Sequence, residues 1–187
     1  MLAMSTVAEK LLTIEEYSQR SDDGEPTELV RGRVITLQWT MPRDGQICVE
    51  VACLLGNYVT KHDLGHVVGN DSGVITERNP DTLRGADVAY YSYAKLPKGP
   101  LPDGYLSVVP DLVFEVRSTT DRWAKVLEKV AELLEAGVSV ACVLDPEQQT
   151  VLIFRADQPV QLLNADEDFT VPEILGDFRV PVRKFFE

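Results

Sequence analysis

Residues 109–124, VVPDLVFEVRSTTDRW, combine a strand-like alternation with a charged face. With a period of two, Leu112, Phe114 and Val116 share one apolar face of the predicted strand. The opposite face then carries Asp111, Val113, Glu115 and Arg117. Because a buried strand pays a desolvation cost for charged side chains that lack a partner, these charges are the first candidates for chemistry.

Helical periodicity predicts three helices. Thr13, followed three residues later by Glu16, is a capping-box signature that predicts a short helix in LLTIEEY. Apolar residues at helical spacing predict a long amphipathic helix over 44–62. The clearest pattern covers 121–137, where Gly137 is a natural stop. Its predicted apolar stripe consists of Trp123, Val126, Leu127, Val130, Leu133 and Leu134.

Strand patterns fill most of the remaining chain. Residues 26–39 predict a hairpin that turns at Arg31–Gly32, and GHVVG, SGVIT and GADVAYYSY predict three short strands. KLPKGPLPDGY predicts a surface loop, VSVACVLDP a buried strand, QTVLIFRA its hairpin partner, and the tail short strand-like segments. A strand, a helix and a strand over 112–144 imply a parallel pair. The pattern therefore predicts an α/β fold with a mixed central sheet flanked by helices.

Composition places this pattern in a single globular domain. The chain has 187 residues, and we expect one domain over 1–187 with a loose N-terminal segment at 1–11. No apolar run approaches the roughly 20 residues of a membrane helix. Three cysteines are an odd number without metal-ligand spacing, which favours reduced thiols and a cytoplasmic location.

The net charge of −12 argues against a protein that coats nucleic acid through a basic surface. It does not exclude a nuclease, because metal ions or a local basic groove can bind phosphates on an acidic protein.

The acidic residues Asp87, Asp111 and Glu115 all lie on apolar strand patterns. An ion pair with Arg117 and a nearby lysine would satisfy them, and so would a divalent metal with open positions for water and phosphate. Lys129 lies roughly 100° from the centre of the helical stripe, where it is either a surface lysine or a second cation. The spacing leaves these alternatives open, and we expect Glu128, Glu132 and Glu135 to form a solvated helix face.

Several of these motifs together resemble the Uma-type endonuclease family, bacterial proteins assigned to the PD-(D/E)XK restriction-endonuclease-like fold. The matching features are an R-x-x-D strand ending at Asp87, the PDLVFEVRS strand, the helix with a lysine ahead of AGV, and the VLDP strand. Upstream, ELVRGRVI is similar to the family's early hairpin with its leading glutamate. The resemblance covers about Leu12 to Phe185 and is most specific over 110–146.

The resemblance implies a metal-dependent endonuclease that hydrolyses phosphodiester bonds in DNA. Asp87 and Glu115, with the backbone carbonyl of Val116, would hold Mg²⁺ or Mn²⁺, and Glu28 is a possible auxiliary ligand. Such hard cations prefer oxygen ligands.

The resemblance also implies roles for two cations. Lys129 would supply the lysine function and orient the nucleophile or stabilise the transition state. Arg117 occupies the usual lysine position and would assist catalysis or fix Glu115. Asp111 matches the aspartate of the PDL motif without a defined role. The chain departs from the family pattern at Ala86, where proline is usual, and at Asp44, where histidine is usual.

The sequence leaves two other functions open. The chain could be an inactive member of the fold that acts as a binding or regulatory homodimer, as the acidic charge and Asp44 favour. It could also be a purely structural domain, which predicts a closed ion pair between Glu115 and Arg117 with no adjoining cleft.

Overall fold

A mixed β-sheet runs through the protein, and a helix packs against each of its faces. The computed structural model describes residues 10–21 and 24–187. Eight strands of this part of the chain form the sheet, in the order β2-β1-β4-β5-β6-β7-β8 with β3 paired to β4. These strands are β1 (Thr27–Val30), β2 (Arg33–Thr36), β3 (Gly65–Glu77), β4 (Thr82–Ser92), β5 (Leu112–Val116), β6 (Val140–Asp145), β7 (Thr150–Phe154) and β8 (Gln161–Leu163).

The helices and the C-terminal elements complete the fold. The helices are α1 (Ile14–Ser18), α2 (Pro42–His62) and α3 (Trp123–Glu135). The C-terminal region adds β9 (Asp168–Phe169), α4 (Pro172–Leu175), β10 (Val180–Pro181) and a 3-10 helix (Val182–Phe186). No helix of the described residues has the length and apolar character needed to cross a membrane.

The predicted fold class is confirmed in its main features. The capping box at Thr13 and Glu16 starts α1, and β1 and β2 form the predicted antiparallel hairpin. The strand pair β5 and β6, joined through α3, is parallel, while the other strand pairs of this sheet are antiparallel. The result is an α/β fold with a mixed central sheet.

Three local predictions are wrong. GHVVG and SGVIT are not separate strands, because both belong to β3, whose pairing register with β4 shifts between Gly69 and Ser72. Asn70 and Asp71 have φ values of +61° and +53° there, a conformation that Asn and Asp tolerate better than most residues. The tail contains helical turns besides short strands. Leu127 does not join the buried stripe of α3 and is 43% exposed.

The predicted loose segment at 1–11 lies largely outside the described residues. Of its last two residues, Lys10 forms an ion pair with Glu16 at 2.6 Å, and Leu11 is exposed. The neighbouring Leu12 donates its backbone N–H to the carbonyl of Gly32 at 2.8 Å.

The two faces of the sheet bury separate apolar clusters. On one face, α2 packs against Phe114 and its neighbours, and Phe169 and Phe185 of the C-terminal region lie with ring centroids 5.4 and 5.9 Å from Phe114. On the other face, Leu133 and Val130 of α3 are buried in clusters that include residues of β5 and β6. This packing positions α3 over the charged face of β5.

The strand β4 is shared between two partners along one of its edges. One edge pairs with β3 along nearly its whole length. The opposite edge pairs with β1 at Leu83 and with β5 at Val88–Tyr90. Between these two pairings, residues 84–87 have no strand partner on that edge among the described strands. The fork between β1 and β5 opens the sheet next to Asp87 and Glu115.

We expect Leu133→Ala to destabilise the protein much more than Leu127→Ala. Leu133 is fully buried under α3, whereas Leu127 on the same helix is 43% exposed. The cavity left by Leu133→Ala should lower the melting temperature by roughly 5–15 °C, and Leu127→Ala should lower it by less than about 2 °C. Thermal unfolding followed by circular dichroism measures both. Equal shifts would contradict this packing of α3.

Candidate active site

A cleft of about 530 Å³ opens at the fork between β1 and β5. Its lining includes Asp87 of β4, Glu115 of β5 and Lys129 of α3. The first turns of α2 and the N-terminal half of α3 contribute further walls, as does the segment that connects β2 to α2. The sequence-predicted residues Asp87, Glu115 and Lys129 therefore converge at one concave site.

Asp87 lies where β4 and β5 separate. The last pair in their register is Val88 with Phe114, so Asp87 comes one position beyond it, next to Glu115. Its Oδ2 accepts the backbone N–H of Val116 at 2.6 Å and thereby replaces a strand-to-strand hydrogen bond. Burial raises the pKa of Asp87 to about 6, with a further contribution from Asp71, although the charge of Lys129 and the Val116 hydrogen bond oppose the rise.

Glu115 is a buried carboxylate that is only half satisfied. It is 7% exposed, and its Oε2 accepts a hydrogen bond from Nζ of Lys129 at 2.6 Å. Its Oε1 is buried and has no hydrogen-bond partner in the described part of the chain. Burial raises the pKa of Glu115 to about 8, and the charges of Asp87 and Glu28 add to the rise against the opposing effect of Lys129. A buried carboxylate oxygen without a partner is costly, so this oxygen is suited to take up a proton or to bind a cation.

Lys129 points from α3 into the site and contacts two carboxylates. Besides Glu115, its Nζ lies 3.5 Å from Oε1 of Glu28. Burial alone would lower the pKa of Lys129, but the charges of Glu115, Glu28 and Asp87 outweigh burial and raise it. Lys129 is therefore a charged residue of the site and not a surface lysine.

Glu28 belongs to an ion-pair network that joins β1, β4 and α3. Its Oε2 accepts from Nη1 of Arg84 at 2.8 Å, and its Oε1 accepts the backbone N–H of Gly85 at 2.9 Å. Arg84 also donates to both carboxylate oxygens of Glu132, at 2.6 and 3.0 Å. Burial disfavours the charge of Glu28, but Lys129 and Arg84 outweigh burial and lower its pKa.

This network changes two of the sequence-based interpretations. The expectation that Glu132 is solvated is wrong, because its carboxylate is engaged by Arg84. Both oxygens of Glu28 are engaged, which gives Glu28 a structural role in holding α3 over the site. The auxiliary-ligand role of Glu28 stays a prediction.

Arg117 is directed away from Glu115. Its Nη1 donates to Asp145 at 3.2 Å and to Glu147 at 3.0 Å, and its guanidinium lies 5.0 Å from the ring centroid of Trp123. The expectation that Arg117 fixes Glu115 is therefore wrong, since Lys129 occupies that position. Arg117 still lines the cleft, and its buried Nε lacks a hydrogen-bond partner among the described residues. Its catalytic role stays a prediction.

Asp111 lies just before β5, at the end of the strand far from Glu115. Its Oδ2 accepts the backbone N–H of Ser92 at 2.7 Å, and its Oδ1 lies 3.2 Å from Nζ of Lys95. These contacts anchor the start of β5 and leave Asp111 outside the site. Asp44, by contrast, is buried in the first turn of α2 and lines the cleft. The neighbour of Asp87, Ala86, is buried in the core.

Sequence reasoning missed Arg84, Asp71 and Trp39 as residues of this region. Arg84 and Asp87 are an odd number of positions apart, so a regular strand would place them on opposite faces, yet both line the cleft. The register shift in β3 also brings Asp71 against β4, where a Cβ added at Gly85 would lie 3.0 Å from the Cβ of Asp71. The polar run GNDSG was the available signal for this bulge.

The oxygen donors of the site fit a hard divalent cation. The described residues contain no group of three or more His, Cys, Asp or Glu side chains arranged to hold a metal ion. Mg²⁺, however, is commonly held by one or two carboxylates, with water or substrate oxygens completing its shell. Asp87 and Glu115 supply two carboxylates, Val116 also lines the cleft, and Oε1 of Glu115 is without a partner among the described residues. The donor set therefore suits such an ion in type and number.

Comparisons with known proteins show the fold and the family of the chain. No curated protein matches the chain. A solved crystal structure of a putative nuclease belonging to DUF820, from Anabaena variabilis ATCC 29413, superposes with a TM-score of 0.82. It is 18% identical in sequence, and the match covers 94% of this chain and 97% of that one, so the two share a fold. The model of the Uma2 family, described as "Putative restriction endonuclease", matches residues 14–183, and the chain therefore belongs to the Uma2 family.

Proposed function

We propose that the protein is a metal-dependent endonuclease that hydrolyses phosphodiester bonds in DNA, with Asp87, Glu115 and Lys129 at its centre. The observation that carries the proposal is the half-satisfied Glu115 carboxylate, buried beside Asp87 at the bottom of an open cleft. The printed descriptions of the family, "Putative restriction endonuclease", and of the structural neighbour, "putative nuclease", favour the same chemistry.

A divalent cation is the expected cofactor of this site. Asp87, Glu115 and the carbonyl of Val116 would hold Mg²⁺ or Mn²⁺. Such an ion, when bound, supplies positive charge to the scissile phosphate and makes water more acidic. It would also satisfy the oxygen of Glu115 that has no partner in the described residues.

The residues of the chain supply the positioning. Lys129 holds one oxygen of Glu115 at 2.6 Å, which fixes the rotamer and leaves the other oxygen for a ligand. The Val116 N–H holds Asp87 in the same way. Lys129 also brings a buried positive charge to the site, where it would stabilise negative charge that develops on the phosphate. Arg84, Glu28 and Glu132 hold α3, and hence Lys129, in place.

The geometry disfavours a purely structural domain. That alternative requires Glu115 to be closed off in an ion pair with Arg117 and to have no cleft beside it. Glu115 instead pairs with Lys129 and adjoins a cleft of about 530 Å³. An inactive, homodimeric binding protein remains the second candidate. The buried Asp44 adds an acidic side chain to the cleft, and a nuclease would have to bind phosphate there.

We expect Glu115→Gln and Asp87→Asn to reduce Mn²⁺-dependent cleavage of DNA, assayed on both a plasmid and a single-stranded DNA circle, by at least about 100-fold, because each removes a carboxylate ligand while preserving shape. Isothermal titration with Mn²⁺ should show binding to the wild type and weaker or no binding to Asp87→Asn. Gel-based cleavage assays measure the activity of each variant.

Glu135→Gln serves as the matched control, since Glu135 is exposed on α3. It should retain wild-type cleavage. Cleavage that survives Glu115→Gln would point to a contaminating nuclease. Wild-type protein that shows neither Mn²⁺ binding nor cleavage would favour the inactive binding protein.

We also expect the metal-free protein to lose stability at this site as the pH rises. The folded-state pKa values of Asp87 and Glu115, about 6 and about 8, lie above their ordinary values of 3.8 and 4.5. Folding therefore favours the protonated forms, and this contribution is present at low pH and is lost as the pH rises through about 8. In EDTA, the melting temperature of the wild type should fall relative to that of the double variant Asp87→Asn/Glu115→Gln between about pH 5 and about pH 8.5.

Adding Mn²⁺ at about pH 8 should raise the melting temperature of the wild type but not that of the double variant, since a ligand stabilises only the state that binds it. Subtracting the melting temperature of the double variant from that of the wild type removes the effect of the other titrating groups. A difference in melting temperature that is constant with pH would contradict the buried, charge-crowded environment assigned to the two carboxylates.

A further inference from the structure

One wall of the cleft carries an exposed tryptophan. Trp39 lies in the segment between β2 and α2, lines the cleft, and is 72% exposed. Two other large apolar side chains beside it in sequence, Ile35 and Met41, are also exposed. An indole held open to solvent at the mouth of a cleft offers a flat apolar surface to whatever enters.

The cations of the cleft are largely neutralised by the protein itself. Arg84 pairs with Glu28 and Glu132, Arg117 with Asp145 and Glu147, Lys125 with Glu128, and Lys129 with Glu115 and Glu28. Among the cations that line the cleft, Arg122 is the one without an ion pair in the described part of the chain. Since duplex-binding proteins commonly neutralise several phosphates, this cleft is poorly equipped to bind a duplex backbone.

The dimensions of the cleft agree with a narrow substrate. Its volume of about 530 Å³ falls within the range of about 300–1,000 Å³ that is typical of small-ligand pockets. A cleft of this volume has room for the reacting phosphodiester and one or two nucleotides around it. Glu115 is only 7% exposed, so a phosphodiester must enter the cleft to approach it.

Resting on the proposed function, we infer that the site acts on single-stranded DNA and that Trp39 stacks on an unpaired base next to the phosphodiester that reacts beside Asp87 and Glu115. Stacking on an aromatic side chain requires a base whose π-face is free, which pairing and stacking in a duplex prevent. The affinity then comes mainly from stacking, which does not depend on a basic surface. Trp39 is a binding residue that selects the strand state of the substrate.

The test uses the full-length protein and a fluorescein-labelled mixed-sequence oligonucleotide of about 12 nucleotides. Anisotropy titrations in EDTA compare this single strand with a closed dumbbell duplex that contains the same sequence and has no ends to fray. The proteins are the wild type, Trp39→Ala, Trp39→Phe, and Leu162→Ala as a control. Leu162 is an exposed apolar residue of β8 that does not line the cleft.

The wild type should bind the single strand more tightly than the dumbbell. Trp39→Ala should weaken single-strand binding on the order of 10- to 100-fold, Trp39→Phe should retain part of the affinity, and Leu162→Ala should bind like the wild type. The dependence of log K on log salt should be shallow, with a slope no steeper than about −1.5, because each phosphate contact on a single strand contributes about −0.7.

Equal or tighter binding of the dumbbell would overturn the inference, as would wild-type affinity in Trp39→Ala or no single-strand binding at all. Metal-dependent cleavage of the closed duplex that is unaffected by Trp39→Ala would also overturn it and leave the nuclease proposal intact. Trp39-dependent binding of single strands without cleavage in Mg²⁺ or Mn²⁺ would instead overturn the nuclease proposal. Glu115→Gln separates the two, because it should abolish cleavage and retain Trp39-dependent binding.

Discussion

The site depends on the way β1 and β5 share one edge of β4 without meeting. Where β4 has no strand partner on this edge, its backbone and that of β5 still need hydrogen bonds, and side-chain carboxylates supply them. Asp87 accepts the N–H of Val116, and Glu28 accepts the N–H of Gly85. Because buried backbone donors are rarely left unpaired, the fork needs acceptor groups at these positions. Here both acceptors are carboxylates, so the side chains that satisfy the backbone also concentrate negative charge at the opening of the sheet.

The concentrated charge explains the arrangement of α3. Four carboxylates lie at the fork or beside it: Glu28, Asp87, Glu115 and Glu132. Two cations, Arg84 and Lys129, lie among them and form ion pairs. The two cations engage three of the carboxylates closely, and the remaining excess of negative charge falls on Asp87 and on the oxygen of Glu115 that has no partner among the described residues. Burial is the main cause of the raised pKa values of Asp87 and Glu115, and neighbouring carboxylates add to the rise. A site with this imbalance binds a proton or a cation, and the two should compete.

Much of this arrangement was predictable from the sequence, because it follows from local periodicity. The alternation in LVFEV identified β5 and its charged face. The helical angle of Lys129 placed it beside the apolar stripe of α3, where a surface lysine and a second cation both stayed possible, and the resemblance to the family assigned it to the site. The partner of Glu115 was not predictable in this way. Spacing along β5 favoured Arg117 as the ion-pair partner of Glu115. However, β6 runs parallel to β5, and Asp145 at the end of β6 forms an ion pair with Arg117. That contact joins residues 28 positions apart and depends on tertiary structure.

Arg84 and Glu132 show a second limit of sequence reasoning. A period-two strand places Arg84 and Asp87 on opposite faces, and a helical wheel places Glu132 on the polar side of α3. The register shift in β3 lies between Gly69 and Ser72, opposite the stretch of β4 that contains Asp87, and it ends the regular alternation between Arg84 and Asp87. Such shifts re-aim side chains by amounts that periodicity cannot supply. Both residues were therefore recognisable as polar, but periodicity could not show that both line the cleft.

The acidic character of the protein constrains how a nuclease of this form would work. With a net charge of −12 and carboxylates at the bottom of the cleft, the metal-free site repels phosphate. Under the proposed function, a divalent cation must therefore bind before the phosphodiester or together with it, because it reverses the sign of the charge that the phosphate meets. Base stacking on Trp39 is insensitive to this charge and could hold the strand while the cation site fills. Under this proposal the strand binds through the uncharged ring of Trp39, and the bound cation supplies the positive charge at the centre. A basic groove, which this cleft lacks, is then not needed.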